Sequence, residues 1–127
     1  MGVTNAGKAE TANLLGGVAA PVAFTYLANG SGSTAFVATQ TTLVTENTTG
    51  SLGRAAAAMT RVTTTVTNDT VQAVKTGTAT GAGGTVREVG FFNAAAAGTM
   101  LCRSVLSADK VLASGDSYTL TVKVAAA

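Results

Sequence analysis

The sequence predicts a mainly β protein, either an antiparallel β-sandwich or a jelly-roll-like barrel, with one short N-terminal helix. Apolar and β-branched residues alternate along several short segments. Clusters of Gly, Asn, Asp and Ser, which favour turns, separate these segments. Many short strands with frequent turns are typical of sandwiches and barrels. The 127 residues are expected to form a single structural domain (1–127), with a helical arm over 1–17 and the β-sandwich over 18–127.

The helical arm is predicted to begin at Asn5 and to end at Leu15. Small or apolar residues recur at every third position from Ala6 onward, which gives one face of a helix. Thr4 is a favoured N-cap residue, because its hydroxyl can accept a bond from a free backbone N–H. The pair Gly16-Gly17 is a typical helix stop.

The next part of the chain has a weaker pattern. Val22–Leu27 follows the one proline, Pro21, and is predicted to be a strand, with a turn over Asn29–Ser33. Residues 34–53 are rich in Thr and small residues and favour no element, apart from a short helical turn expected at Thr42–Glu46.

The second half carries the clearest period-two alternation. A hairpin is predicted where the β-branched run Arg61–Thr67 meets Asn68-Asp69 and returns over Thr70–Thr80. The last predicted strand, Tyr118–Val124, is expected to place its apolar and aromatic side chains on one face. The further strands are predicted over Val86–Phe92, Met100–Val105 and Tyr118–Val124.

The composition indicates a thin core. Hydrophobic residues make up 46% of the chain, but most are Ala and Val, and only 5% of residues are aromatic. Small side chains bury little area, and burial stabilises by roughly 25 cal/mol per Å². A domain of this size therefore gains from shared burial, which favours a homo-oligomer in a symmetric assembly, with a trimer as one option.

Charge and residue usage exclude several classes of function. The net charge is +2 and the eight basic residues are scattered, so we expect no nucleic-acid partner. No run approaches the roughly 20 apolar residues that cross a bilayer, and no secretory signal is recognisable, so no membrane partner is expected. With no His and one Cys, the chain is predicted to hold no metal, no cofactor and no disulfide.

Two candidates for chemistry favour a structural interpretation. Gly2–Lys8 has the glycine and lysine spacing of a phosphate-binding loop, but Ala9 stands where that loop needs Ser or Thr, and no strand precedes Gly2. Cys102 lies in a predicted strand, where a buried structural thiol is more common than a reactive one. Because no His can act as its base, we expect no nucleophilic catalysis.

The carboxylates also favour structural roles. They are widely separated, and most fall at predicted turns or helix ends. Glu88 differs because it lies within a strand, where an ion pair is expected with Arg54, Arg61 or Arg103, either within the sheet or across a subunit interface. We therefore predict that the chain is not an enzyme and has no catalytic residue. The carboxylates are Glu10, Glu46, Asp69, Glu88, Asp109 and Asp116.

Both ends of the chain resemble short structural proteins of tailed bacteriophages. The C-terminal part of this resemblance lies in Glu88–Ala94, Gly98–Arg103 and Gly115–Tyr118, and the N-terminal part lies in Thr4–Glu10. The resemblance implies a virion structural protein that is assembled in the host cytoplasm and that contacts the major capsid protein or other virion proteins.

Within that class, capsid decoration (cement) is the favoured role, because so short a chain lacks the repetitive shaft of a complete fibre. A tail, fibre or baseplate component is the alternative. An adhesive or glycan-binding β-module is a second alternative, and it would need exposed aromatic side chains or a polar pocket. The candidates for such a role lie in strand-like runs, which favours the core: Tyr26, Phe36, Phe91, Phe92 and Tyr118.

Overall fold

The computed structural model describes residues 1–126. It confirms a mainly β fold with one N-terminal helix and two antiparallel sheets, and no closed barrel is formed by residues 1–126. The helix is α1 (Asn5–Gly16). The strands are β1 (Gly2–Val3), β2 (Tyr26–Gly30), β3 (Ala55–Ala56), β4 (Ala58–Val62), β5 (Thr70–Thr78), β6 (Gly84–Phe92), β7 (Met100–Leu112) and β8 (Ser117–Ala125).

The strands form a five-stranded sheet in the order β1-β7-β6-β2-β3 and a three-stranded sheet in the order β4-β5-β8. Because side chains alternate between the faces of a strand, each sheet contributes every second residue to the layer between the two sheets. Leu27 and Phe91 enter this core from the larger sheet, and Leu120 and Val122 enter it from the smaller one. The observed architecture is therefore a sandwich.

The outer face of the five-stranded sheet is also buried. Ala28, Phe92 and Met100 point away from the sandwich core and pack against Leu43. Leu43 belongs to the covering segment, which we define as Ser31–Arg54; it contains no helix or strand and makes one isolated bridge. The larger sheet thus lies between a second sheet and a layer of irregular chain.

Several predicted elements are confirmed. The helix begins after the Thr4 cap, and Gly17 ends it in the left-handed conformation, with φ of 63°. The return arm of the hairpin is present as β5, and β8 directs its apolar side chains to one face. The predicted strands over Val86–Phe92 and Met100–Val105 are present as β6 and β7, with β7 extending further to Leu112.

Three predictions were wrong. The strand expected over Val22–Leu27 begins only at Tyr26 and extends into the expected turn as far as Gly30, because β6 provides pairing partners for Tyr26–Gly30. The helical turn expected at Thr42–Glu46 is absent, since the Val44 and Thr45 amides bond to a side chain instead. The outgoing arm of the hairpin ends at Val62, and a loop that is organised by Asp69 follows.

Thr4 joins the helix to the larger sheet. Its Oγ1 accepts a bond from the Gly7 N–H (2.8 Å) and donates one to the Met100 carbonyl. Gly7 lies so close to β7 that an added Cβ would be 2.5 Å from the Leu101 carbonyl oxygen. The cap and the glycine together allow α1 to lie directly on the backbone of β7.

We predict that Thr4→Ala lowers the free energy of unfolding by about 2 kcal/mol, because both bonds of the hydroxyl are lost. Thr4→Ser is the matched control, since it keeps both bonds and loses one buried methyl, about 1 kcal/mol. Urea unfolding measures the stability, and hydrogen exchange of the Gly7 amide reports the cap. Equal exchange rates in the two variants would contradict the assignment.

Candidate functional site: the buried ion pair and the covering segment

Glu88 forms its ion pair with Arg103, one of the three arginines that the sequence left open. The Arg103 Nε donates to the Glu88 Oε2 at 2.6 Å, and both side chains are 0% exposed. Glu88 lies on β6 and Arg103 on β7, diagonally across the outer face of the larger sheet. An ion pair this deep is tolerated only when nearly all of its remaining polar atoms are also bonded.

The covering segment supplies most of those bonds. The Glu88 carboxylate accepts backbone N–H bonds from Gly32 (3.2 Å), Val44 (3.1 Å) and Thr45 (2.8 Å). Because three amides and a guanidinium converge on one carboxylate, Glu88 holds two separate stretches of the covering segment against the sheet.

Arg103 also binds the covering segment. Its Nη1 donates to the Thr34 carbonyl (2.8 Å) and to the Gln40 Oε1 (3.3 Å). Its Nη2 is buried and has no partner among residues 1–126. The ion pair and the covering segment therefore stabilise each other.

Two glycines make this close contact possible. A Cβ on Gly30 would lie 2.2 Å from the Thr45 carbonyl oxygen, and a Cβ on Gly32 would lie 2.6 Å from the Val44 Cβ. Any larger residue would push the covering segment away from Glu88.

A second ion pair fixes the other end of the covering segment. The Arg54 Nη2 donates to the Glu46 Oε1 at 2.8 Å, and its guanidinium lies 3.6 Å from the centre of the Phe92 ring. Arg54 also donates to the Ala97 carbonyl (2.8 Å), in the loop between β6 and β7. Lys75 on β5 donates to the Gly53 carbonyl (2.6 Å), which connects this end to the smaller sheet.

The other carboxylates make local structural contacts. Asp69 accepts the N–H bonds of Thr64, Thr65 and Val66, and these bonds hold its pKa far below the usual value. Asp109 pairs with Arg87 at 3.2 Å on the surface. Glu10 accepts the Val22 N–H and Asp116 the Ala113 N–H, each at 2.8 Å. Among residues 1–126, no three His, Cys, Asp or Glu side chains come together in a group that could hold a metal ion.

The residues that match the phosphate-binding spacing, Gly2–Lys8, belong to a strand and to the start of the helix. Gly2 and Val3 form β1 on the edge of β7, Thr4 caps the helix, and Lys8 is an exposed helical residue. Among residues 1–126, no helix is long and apolar enough to cross a bilayer.

The aromatic residues are mostly withdrawn from solvent. Phe91 faces the sandwich core and Phe92 the covering segment, and both are fully buried. Tyr26, Phe36 and Tyr118 are partly buried. The Tyr118 hydroxyl donates to the Ser51 carbonyl (2.7 Å), so this ring also holds the covering segment.

Cys102 lies in the sandwich core opposite Phe91. Burial raises the pKa of its thiol to about 11, from an ordinary value of 9.0. A neutral, inaccessible thiol is a weak nucleophile.

The role of the covering segment was missed by the sequence interpretation. Its composition carries no periodic signal, because it binds Glu88 through backbone amides and has no repeating apolar face. The available signal was a Glu and an Arg in otherwise apolar strands, since such charges must be paired when they are buried.

We predict that Arg103→Met lowers the free energy of unfolding by about 3–5 kcal/mol, because it leaves Glu88 buried without a counter-charge. The Gly32 and Thr45 amides should then exchange faster with solvent. Arg87→Met is the matched control. It removes the partner of the exposed Asp109, and it should cost no more than about 1 kcal/mol. Equal losses in the two variants would contradict the central role of the buried pair.

We predict that the raised pKa of the Cys102 thiol makes the free energy of unfolding depend on pH. The native thiol stays protonated up to about pH 11, whereas the unfolded thiol ionises from pH 9.0. The stability that the buried, protonated thiol contributes is therefore complete below pH 9.0, and it is lost as the pH rises through the native pKa. Relative to Cys102→Ala, the wild-type chain should lose about 2 kcal/mol by pH 11, measured by urea unfolding. Parallel pH profiles for the two chains would refute this.

One family model matches almost the entire chain. It describes the podophage GP4 fiber I protein gp80 and matches residues 2–125, which include every strand and the helix described above. No curated protein matches the chain. The match covers both members of the buried ion pair and the whole covering segment. The chain therefore belongs to the family of the podophage GP4 fiber I protein gp80, and it is a structural protein of a tailed phage and a component of the virion.

Proposed function

We propose that this chain is a fibre component of a podophage tail, where it serves as a rigid structural module. The observation that carries the proposal is the family match over residues 2–125, since it spans the whole sandwich and not an isolated motif. The description of that family names a fibre protein, which supports the tail alternative over the capsid-decoration role that the sequence favoured.

The internal construction is suited to a structural role. The larger sheet is covered on one face by the smaller sheet and on the other by the covering segment, which two ion pairs hold in place. Buried polar networks with many bonded partners favour one arrangement of the chain over others. A fibre component must transmit force and hold a fixed geometry, and a single well-defined conformation serves both.

We propose that the chain acts without catalysis. Each of the six carboxylates makes a structural contact, the thiol of Cys102 is buried with a raised pKa, and the sequence has no His. The same reasoning disfavours an adhesive glycan-binding module, because the two adjacent phenylalanines, Phe91 and Phe92, lie in buried layers.

The proposed partners are other virion proteins and further copies of this chain. The buried core holds Leu, Phe and Met as well as the small side chains that the composition emphasised. The observation that supports self-association is therefore the exposed apolar surface, on which Leu15 and Val18 lie. Shared burial of such surface between copies would add stability.

The test is to find the chain on intact virions of the source phage. Antibodies raised against the purified chain and conjugated to gold should label the tail in electron micrographs. Mass spectrometry of purified virions should also detect the chain, with antibodies against the major capsid protein as a labelling control. Regular label over the capsid shell would establish capsid decoration instead. Absence of the chain from purified virions would refute a virion role altogether.

A further inference from the structure

One end of the sandwich carries an apolar groove of about 600 Å³. Helix α1 forms one side of the groove through Lys8 and Thr11. Leu101 and the ends of β5 and β8 form the rest, through side chains such as Val71 and Val124. The lining is mainly apolar, and pockets of this kind favour an occupant with apolar side chains.

A second apolar feature lies at the end of the same helix. Four exposed apolar side chains stand within the nine residues Leu14–Val22, and this stretch contains no charged residue. Leu15 is 86% exposed, the largest exposure among the large apolar side chains of residues 1–126. Four exposed apolar side chains within so short a stretch mark a candidate interaction site.

The groove and the helix end also have complementary charges. Lys8 and Arg61 give the groove a cationic rim. The last turn of α1 has no basic residue, so its free carbonyls keep the partial negative charge of a helix C-terminus, roughly half an elementary charge. The one carboxylate at the rim, Asp69, is already bonded to three backbone amides of the neighbouring loop.

We infer that the C-terminal end of α1 and the segment up to Val22 of one copy dock in this groove of a second copy. In this arrangement Leu15 enters the apolar groove, and the helix carbonyls face Lys8 and Arg61. The inference rests on the self-association that we propose for the fibre, and it assigns the surface. A helix cannot fill a groove whose wall it forms, because Leu15 lies one turn beyond Thr11 on the same helix face. The helix end that we assign to the groove therefore comes from another copy.

The arrangement has a defined symmetry consequence. The donated surface and the receiving surface are different parts of the chain, so each copy can give its helix end and receive another. Contacts of this heterologous type close into a ring when the rotation between copies permits. A trimer is one such ring.

The test measures mass by analytical ultracentrifugation over a range of concentrations. Wild-type chain should associate, and Leu15→Glu should weaken the association by about tenfold or more, because one large apolar side chain is no longer buried. Ala125→Glu, at an exposed position in the groove, should weaken it similarly by repelling the helix carbonyls. Val111→Glu is the control, since Val111 is 75% exposed at the far end of β7 and should have no effect.

Mixing the Leu15→Glu and Ala125→Glu variants distinguishes this docking from other modes of association. Leu15→Glu keeps an intact groove and Ala125→Glu keeps an intact helix end, so an equimolar mixture should form complexes that neither variant forms alone. Circular dichroism confirms that each variant is folded.

Several outcomes would overturn the inference. They are a wild-type chain that stays monomeric at every concentration, variants that associate as wild type does, and a Val111→Glu chain that is equally impaired. If wild type associates but Leu15→Glu has no effect, self-association stands and the docking surface is wrong. Labelling of the capsid in place of the tail would refute the proposed location and leave the docking untouched.

Discussion

The ion pair between Glu88 and Arg103 is the interaction on which the rest of the structure depends. Two charges that are fully removed from water are costly, and their mutual attraction compensates only when nearly all remaining polar atoms are bonded. The sheet cannot supply those bonds, because its backbone groups are used between strands. The covering segment supplies them, and it has little regular structure of its own to hold it there. The pair and the segment must therefore form together, which makes the outer layer part of one cooperative unit.

This dependence adds specificity to an apolar core of Leu, Phe, Val, Met and Ala side chains. Apolar contacts alone define such a core weakly, because hydrophobic residues of similar volume can be exchanged at modest cost. A carboxylate that requires three particular amides tolerates far fewer alternatives. The polar network therefore contributes mainly to the uniqueness of the conformation and less to its stability. Arg54 extends the same principle, since it binds Glu46, the ring of Phe92 and the loop after β6 at once.

The sequence predicted the elements that depend on local signals. The helix is determined by Thr4 and Gly17 at its two ends, and β8 by its own alternation. The position of β2 could not be predicted locally, because its pairing with β6 decides where it begins. The buried pair was predicted as an ion pair of Glu88, but the choice among three arginines needed the register between β6 and β7. The covering segment left no periodic signal, since its bonds to Glu88 are made by backbone amides, which every residue except proline carries.

The same helix cap connects the fold to the proposed assembly. Lys8, Thr11 and Leu15 all belong to α1, so the wall of the groove and the donated helix end move as one body. The orientation of that body is determined by Thr4, which bonds to β7, and by Gly7, which allows the backbones to approach. A change at either residue would move the helix end and the α1 wall of the groove relative to the walls that Leu101, β5 and β8 form. In the proposed assembly, the contact between α1 and β7 inside each copy therefore sets the angle between neighbouring copies, and hence whether the contacts close into a ring.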